Sequence, residues 1–348
     1  MITIIRDQAL CQAFSGISKG VRMKKEKTLQ RTVSPVIRNK RSKIAAYLKR
    51  NYLLYLMMLP GIAVILIFKY YPMSGIQLAF KDWDPWKGIW GSEWAVNEAG
   101  KTDLLFHFRS LMGDELFWTK FLNTLRISIL KIAFGFPVPI IIALFLNEMT
   151  WKIYKNIVQT ISYLPHFISW VIISGILLTM TQADSSFQLF LEKVFGKQVY
   201  FFSNNNSFIV MIVLSNIWKN CGWGTIIYLA ALQSIDVELY EAAEVDGAER
   251  WAKMWYITLP GILPAVCIRL IFTVSGITSA GFDQIFNMYN STVYEKGDVL
   301  ETYLYRNGII GGKYDISQAM GLFNSLIGLT LTLTANKIVN KLGGEGIW

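Results

Sequence analysis

Glu241–Pro260, EAAEVDGAERWAKMWYITLP, is a short, net acidic stretch set between two long apolar blocks. Asp236, Glu238, Glu241 and Glu244 suit the opening turns of a helix, where carboxylates meet the positive end of the helix dipole. Ala242 and Ala243 add helix propensity and a low surface profile. Gly247, four residues after Ala243, permits the left-handed turn that stops a helix. Ala248–Tyr256 then begins a second short helix, with Tyr256, Ile257 and Leu259 on its apolar side and Pro260 expected to end it. The stretch predicts a helix–turn–helix protrusion with a small acidic surface. The other option is an amphipathic segment lying on a membrane, but such helices carry Lys and Arg on their polar face. The surrounding loop, 232–261, holds six acids and two bases.

The rest of the chain explains why such a protrusion would sit at a membrane. Of 348 residues 53% are apolar and only 17% charged, and the apolar ones come in long blocks of the kind that cross lipid. The net charge of +10 is concentrated at one end: residues 1–51 hold 13 Lys and Arg against 2 acids. Nucleic-acid binding would need aromatic or groove-reading elements beside that charge, and none are there. Anionic lipid is a secondary partner; retention of the first span's N-terminus in the cytoplasm explains the tail best. Translation from Met1 or from Met23 is equally compatible with the sequence. Cys11, Cys221 and Cys267 form neither a disulfide framework nor a metal-ligand spacing, so no metal site is expected.

Six apolar segments stand out: Tyr52–Tyr71, Leu122–Leu146, Ile157–Met180, Phe208–Ala231, Ile262–Gly281 and Gln318–Val339. Each is long enough as a helix to cross the ~30 Å of hydrocarbon in a bilayer. No period-two alternation suggests a barrel. The expected fold is all-α: a polytopic membrane protein with a basic tail at 1–51 and a six-helix membrane domain at 52–348. Lys and Arg are biased toward the loops on the N-terminal tail's side, which places both termini in the cytoplasm. Trp83, Trp86, Trp90 and Trp118 in the first long connection suit an interfacial belt, small anchors of a folded loop, or contact with a partner.

Glu241-Ala242-Ala243, then Gly247-Ala248 and Ile257-Thr258-Leu259-Pro260, resemble the EAA signature of binding-protein-dependent ABC importer permeases. TISYLPHFISWV (160–171) and FDQIFNMYNSTVYEKGDVLETYLYRNG (282–308) resemble permeases of Gram-positive carbohydrate importers, especially those for oligosaccharides. The resemblance implies a type I ABC importer permease fold in the bacterial plasma membrane. It implies that Glu241, Ala242, Ala243, Gly247 and Ala248 form a coupling helix seated in an ATPase cleft. It also implies the partners: a second homologous permease in a heterodimer, two ABC ATPase subunits that carry ATP and Mg, and an extracellular solute-binding lipoprotein. The same machinery carrying a non-sugar solute remains open, as do an intramembrane hydrolase and an ATP-independent transporter.

No GxxxxGK followed by Ser or Thr occurs, so this chain has no phosphate-cradling loop and is not itself the motor. No cofactor is expected in it. His107 and His166 are its two histidines, and no GxSxG, HExxH or paired intramembrane carboxylates accompany them; a packed, hydrogen-bonded His166 is the expectation, and an enzyme is not.

Polar residues within spans are expensive and tend to face a cavity or a neighbouring helix. Asn216, Asn220 and Trp223 share one helical face, and amides beside a flat aromatic suit a sugar's hydroxyls and C–H face. Interhelical hydrogen bonding and packing would use the same residues. Trp218, Tyr228 and Asn324 complete the set of pathway candidates. Pro137, Pro139 and Pro165 predict kinks. Gly321, Ser325 and Gly328 form a small-residue stripe suited to helix packing. Arg126, Lys131 and Arg269 either neutralise partners or extend to the interface.

Overall fold

The structure, a computed structural model, describes residues 47, 49–97, 99–182, 185–196, 200–341 and 346–347. All of the basic tail except Tyr47, Lys49, Arg50 and Asn51 lies outside them, as does the choice between Met1 and Met23. The chain divides into two compact units, residues 1–74 and 75–348. The first contains α1 (Tyr52–Ile65), which runs on through a π-turn at Leu66–Tyr70. Apolar residues surround α1 on all sides, the pattern of a helix with lipid as its solvent.

The second unit is built on α2 (Glu115–Gly135), α3 (Pro137–Glu148), α4 (Lys152–Tyr163), α5 (Trp170–Met180) and α6 (Asn205–Gln233). They are followed by α7 (Val237–Val245), α8 (Arg250–Lys253), α9 (Leu259–Ser275) and α10 (Tyr314–Lys341). Among the described residues β-structure is limited to two isolated bridges, Lys81 with Trp94 and Val96 with Thr102. Four helices among the described residues of the chain are long and apolar enough to cross a membrane: Tyr52–Phe80, Glu115–Glu148, Arg250–Ser275 and Tyr314–Lys341. The bent pair Lys152–Phe167 and Trp170–Met180 makes a fifth if it counts as one span.

Helix α6 is the hub of the second unit, packing on α2, α3, α4 and α9. Its 29 residues are long enough to cross, at about 1.5 Å per residue. Ser215, Asn216, Lys219 and Asn220 dilute its apolar character because this helix faces other helices rather than lipid. Two cores line it. Phe208, Ile209 and Ile212 pack with Ile127, Ile285 and Val299 near its start, and Tyr228, Leu229 and Leu232 pack with Ala143 and Ile262 near its end. A third core joins Phe117 and Phe121 of α2 to Met320 and Phe323 of α10. Close helix approach is set by glycine: a Cβ on Gly222 would stand 2.0 Å from the Ser162 carbonyl oxygen.

Three expectations need correction. The third segment, Ile157–Met180, is not one helix; it turns by 98° between Phe167 and Trp170. Pro165 removes a backbone donor within a 3-10 turn, Leu164–Phe167, and the Ser169 hydroxyl accepts from Ile172 N to start α5 afresh. The fifth segment starts earlier and stops sooner, α9 ending at Ser275 rather than at Gly281. Finally, Pro260 ends nothing. It lies in the first turn of α9, directly after a π-turn at Met254–Thr258. That widened turn shifts the hydrogen-bond register where proline has no N–H to offer.

The other kinks and the stripe turn out as expected in part. Phe136, immediately before Pro137, separates α2 from α3 but keeps helical backbone angles (φ −68°, ψ −41°), and Glu115–Glu148 remains one span. Gly328 faces the Ser275 carbonyl at 3.3 Å from a built Cβ, whereas Gly321 has open space around it. Trp83 anchors the 75–113 segment against Tyr314, ring centroids 5.5 Å apart, while Trp86 is 93% exposed.

Candidate functional site

The acidic stretch forms the protrusion predicted for it. Asp236 caps α7, its carboxylate accepting from Glu238 N at 3.0 Å. At the other end Gly247 has φ +76°, Gly247 N donates to Glu244 O at 3.1 Å and Ala248 N donates to Ala243 O at 2.8 Å. This pair of bonds is the Schellman arrangement, which a left-handed glycine makes possible. Two side-chain contacts tie α7 to the helix that follows: Tyr240 Oη to Thr258 Oγ1 at 3.0 Å, and Lys253 Nζ to Glu244 Oε2 at 2.9 Å. The hydrogen bond from Lys253, helped by its charge, holds the Glu244 carboxyl below the usual carboxylate range. Glu241, Ala242 and Gly247 are exposed, and Ala243 and Ala248 half-buried. Val245, Trp251, Trp255 and Tyr256 leave an uncovered apolar surface beside the acids.

A cavity of about 210 Å³ lies between α2, α3, α6 and α9. Asn216 and Asn220 both line it. Asn220 is engaged, its Nδ2 donating to Asn216 O at 3.1 Å and its Oδ1 lying 3.3 Å from His166 Nδ1. His166 is therefore hydrogen-bonded, as expected. The remaining pathway candidates lie elsewhere. Trp223 stacks face to face on His166 at 4.7 Å, and Trp218 borders a separate apolar hollow with Ile173 and Leu177. Tyr228 is fully buried and its hydroxyl has no hydrogen-bond partner among the described residues. Asn324 donates to Thr278 O at 3.3 Å.

Sequence reasoning passed over three features. Lys219 sends its ammonium into the break of the bent helix pair, donating to the carbonyls of Pro165 at 3.3 Å, His166 at 2.8 Å and Ile168. The bend takes these carbonyls out of the regular α-helical ladder; Pro165 O keeps Ile168 N as a donor at 3.2 Å, and the lysine adds a charged donor to all three. Lys219→Met is expected to lower stability by about 1.5–3 kcal/mol, the worth of hydrogen bonds to a charged group. Thermal unfolding of the purified permease in detergent measures it; an unchanged melt would mean that the ammonium is not what holds the bend.

The second is a charge cluster around Asp298, which is fully buried. Arg306 Nη2 lies 2.6 Å and Lys120 Nζ 3.2 Å from its Oδ2, and Thr302 donates to its Oδ1 at 2.7 Å. Arg306 also lies over the Tyr294 ring at 4.7 Å. The third is a set of possible metal ligands, where none was expected: Asp82, His107 and Asp315 bring ligand atoms within 4.8 Å of one another. His107 Nε2 is already hydrogen-bonded to Lys81 O at 3.1 Å and lies 3.4 Å from Asp82 Oδ1.

A hub helix with a polar cavity, bordered by apolar spans and followed by a capped acidic protrusion, is the build of a transport permease. Residues 135–340 match the family described as binding-protein-dependent transport system inner membrane component, and the chain belongs to that family. It is thus a multi-pass plasma-membrane component of an ABC transport system, a transporter subunit rather than an enzyme. Protein LplB of Bacillus subtilis (strain 168) is 40% identical over 87% of this chain and 93% of its own length. The polygalacturonan/rhamnogalacturonan transport system permease protein YteP of the same organism is 39% identical over 89% and 95%. A chain of a bacterial alginate ABC transporter, solved in complex with an alginate pentasaccharide-bound periplasmic protein, superposes with a TM-score of 0.76. It is 40% identical and covers 87% of this chain and 99% of that one.

Proposed function

We propose that this chain is one permease subunit of an ATP-driven importer that moves an oligosaccharide delivered by an extracellular solute-binding lipoprotein. The names of YteP and of the alginate transporter support a sugar as solute. In this reading the membrane domain has six spans, counting α6 and the bent pair, and both termini are cytoplasmic. The chain pairs with a second, homologous permease, and two ATPase subunits bind ATP and Mg.

The observation that carries the mechanism is the capped protrusion. Glu241, Ala242 and Ala243 on α7, with Gly247 and Ala248 at its turn, present a rigid acidic knob. The uncovered Val245, Trp251 and Tyr256 beside it give an ATPase cleft something apolar to grip. Closure of the ATPase pair would push this knob, and α9, continuous with it from Arg250, would carry the movement toward the cavity. ATP and solute then bias one equilibrium between inward- and outward-facing states. Asn216 and Asn220 offer amides to passing hydroxyls; Trp218, Trp223, Tyr228 and Asn324 belong to the surrounding packing or to the route beyond the cavity.

Uptake by the reconstituted complex in proteoliposomes, with ATP and with a non-hydrolysable analogue, tests this reading. Transport that continues without hydrolysis would refute it. Glu241→Lys and Gly247→Leu are expected to cut ATP-driven uptake by about tenfold or more, the scale of a typical coupling free energy, while the chain still inserts. Wild-type uptake by both variants would remove the protrusion from the mechanism.

A further inference from the structure

Arg269 stands out among the charged groups around the cavity. It projects from the C-terminal half of α9 into the space that Asn216 and Asn220 line. A guanidinium within a helix bundle is normally paired, because an isolated charge away from water is costly. Lys120 and Arg306 share Asp298. Lys219 has its three carbonyls. Lys131, across the same cavity, donates to Ala280 O at 2.6 Å and to Gln284 Oε1 at 2.5 Å.

Arg269 alone in this group has no such answer: among the described residues no carboxylate pairs with it and no hydrogen bond holds its guanidinium. Its neighbour is the Tyr228 ring, 5.9 Å from the guanidinium carbon, and a ring face steadies a cation without neutralising it. No Asp or Glu lines the cavity. Behind its wall Glu301 accepts from the Ser279 hydroxyl at 2.7 Å through Oε1, its Oε2 having no hydrogen-bond partner among the described residues. Arg269 is therefore the unanswered charge of the cavity, and it is a planar fork of N–H donors suited to a carboxylate.

We infer that Arg269 is the specificity-determining residue of the translocation cavity and that it receives a carboxylate of the solute, which makes the solute an acidic, uronate-containing oligosaccharide. This rests on the transport reading above and narrows its substrate class. Lys131 is already taken up by Ala280 and Gln284, which leaves Arg269 to meet the carboxylate while Asn216 meets neighbouring hydroxyls.

The test uses the complete complex of both permeases and both ATPases in detergent, with trigalacturonate and its methyl ester as probes. The acid is expected to raise the melting temperature of the wild-type complex and the ester to do so far less. Arg269→Gln is expected to weaken the response to the acid by about ten- to a hundredfold in concentration, the loss of a charge-assisted contact. Arg269→Lys should recover part of it, since charge remains while the fork is lost. Equal responses to acid and ester, or no response of wild type to either, would overturn the inference. So would an Arg269→Gln chain that fails to assemble with its partner permease while Arg269→Lys assembles, because the arginine would then be answering an acid of that partner. Basal ATP hydrolysis, measured in the same samples, keeps the two readings apart: a complex that hydrolyses ATP but ignores the carboxylate loses only this inference.

Discussion

Asp298→Ala is expected to destabilise the permease by about 3–5 kcal/mol, the cost of breaking a buried ion pair from one side. The carboxylate is fully buried and answers Arg306 at 2.6 Å, Lys120 at 3.2 Å and the Thr302 hydroxyl at 2.7 Å. Its removal leaves two cations facing each other in a site built for three charges. The backbone of the same turn is also engaged, Asn123 Nδ2 donating to Asp298 O at 3.1 Å and to Glu295 O at 2.8 Å. The cluster thereby staples the 294–306 segment to α2. Thermal unfolding in detergent should show the loss, and Lys120→Met should cost less, since Arg306 still neutralises the carboxylate. Should Asp298→Ala melt with the wild type, the cluster would not be what joins this segment to α2.

Gly222→Ala is the second large effect expected. The added carbon would stand 2.0 Å from Ser162 O, 2.3 Å from Ser162 C and 2.9 Å from Tyr163 N. All three atoms are backbone, so no rotamer change relieves the clash, and α4 must move away from α6. Overpacking commonly costs about 1–3 kcal/mol, and this contact belongs at or above the top of that range. Because α4 leads into the break that Lys219 holds, the displacement should also loosen that capping. Gly175→Ala is the matched control: nothing lies within 4 Å of its Cβ position, so it should be neutral or slightly stabilising. Similar melting of the two variants would show that α4 and α6 do not approach so closely.

How far the site was legible depended on the range of the signal. The protrusion at Glu241–Ala248 was readable because its parts are local: an acidic N-terminal turn, two alanines and a glycine that meets the left-handed geometry a few residues later. Asn216 and Asn220 could be put on one face from helical spacing, and both line the cavity. Trp223 shares that face by spacing, yet its ring stacks on His166, because the bend at Phe167–Trp170 brings the histidine alongside it. Pro165 announced a kink but not an angle of 98°. At that bend Lys219, 54 residues from Pro165, supplies donors to carbonyls that have left the helical ladder.

Composition and pattern were sufficient for the all-helical class, for the apolar segments apart from the bounds of the third and fifth, for the capped turn and for the absence of a nucleotide-binding loop. Each of these is written in neighbouring residues through hydrophobic runs, propensity and backbone conformation. Pairings between distant residues were not written there. Asp298 meets Lys120, Gly222 meets Ser162, and Arg269 reaches a cavity whose other wall comes from α2. An ion pair, a close helix contact and an unanswered charge are defined by what surrounds a residue, and those surroundings exist only once the helices have packed.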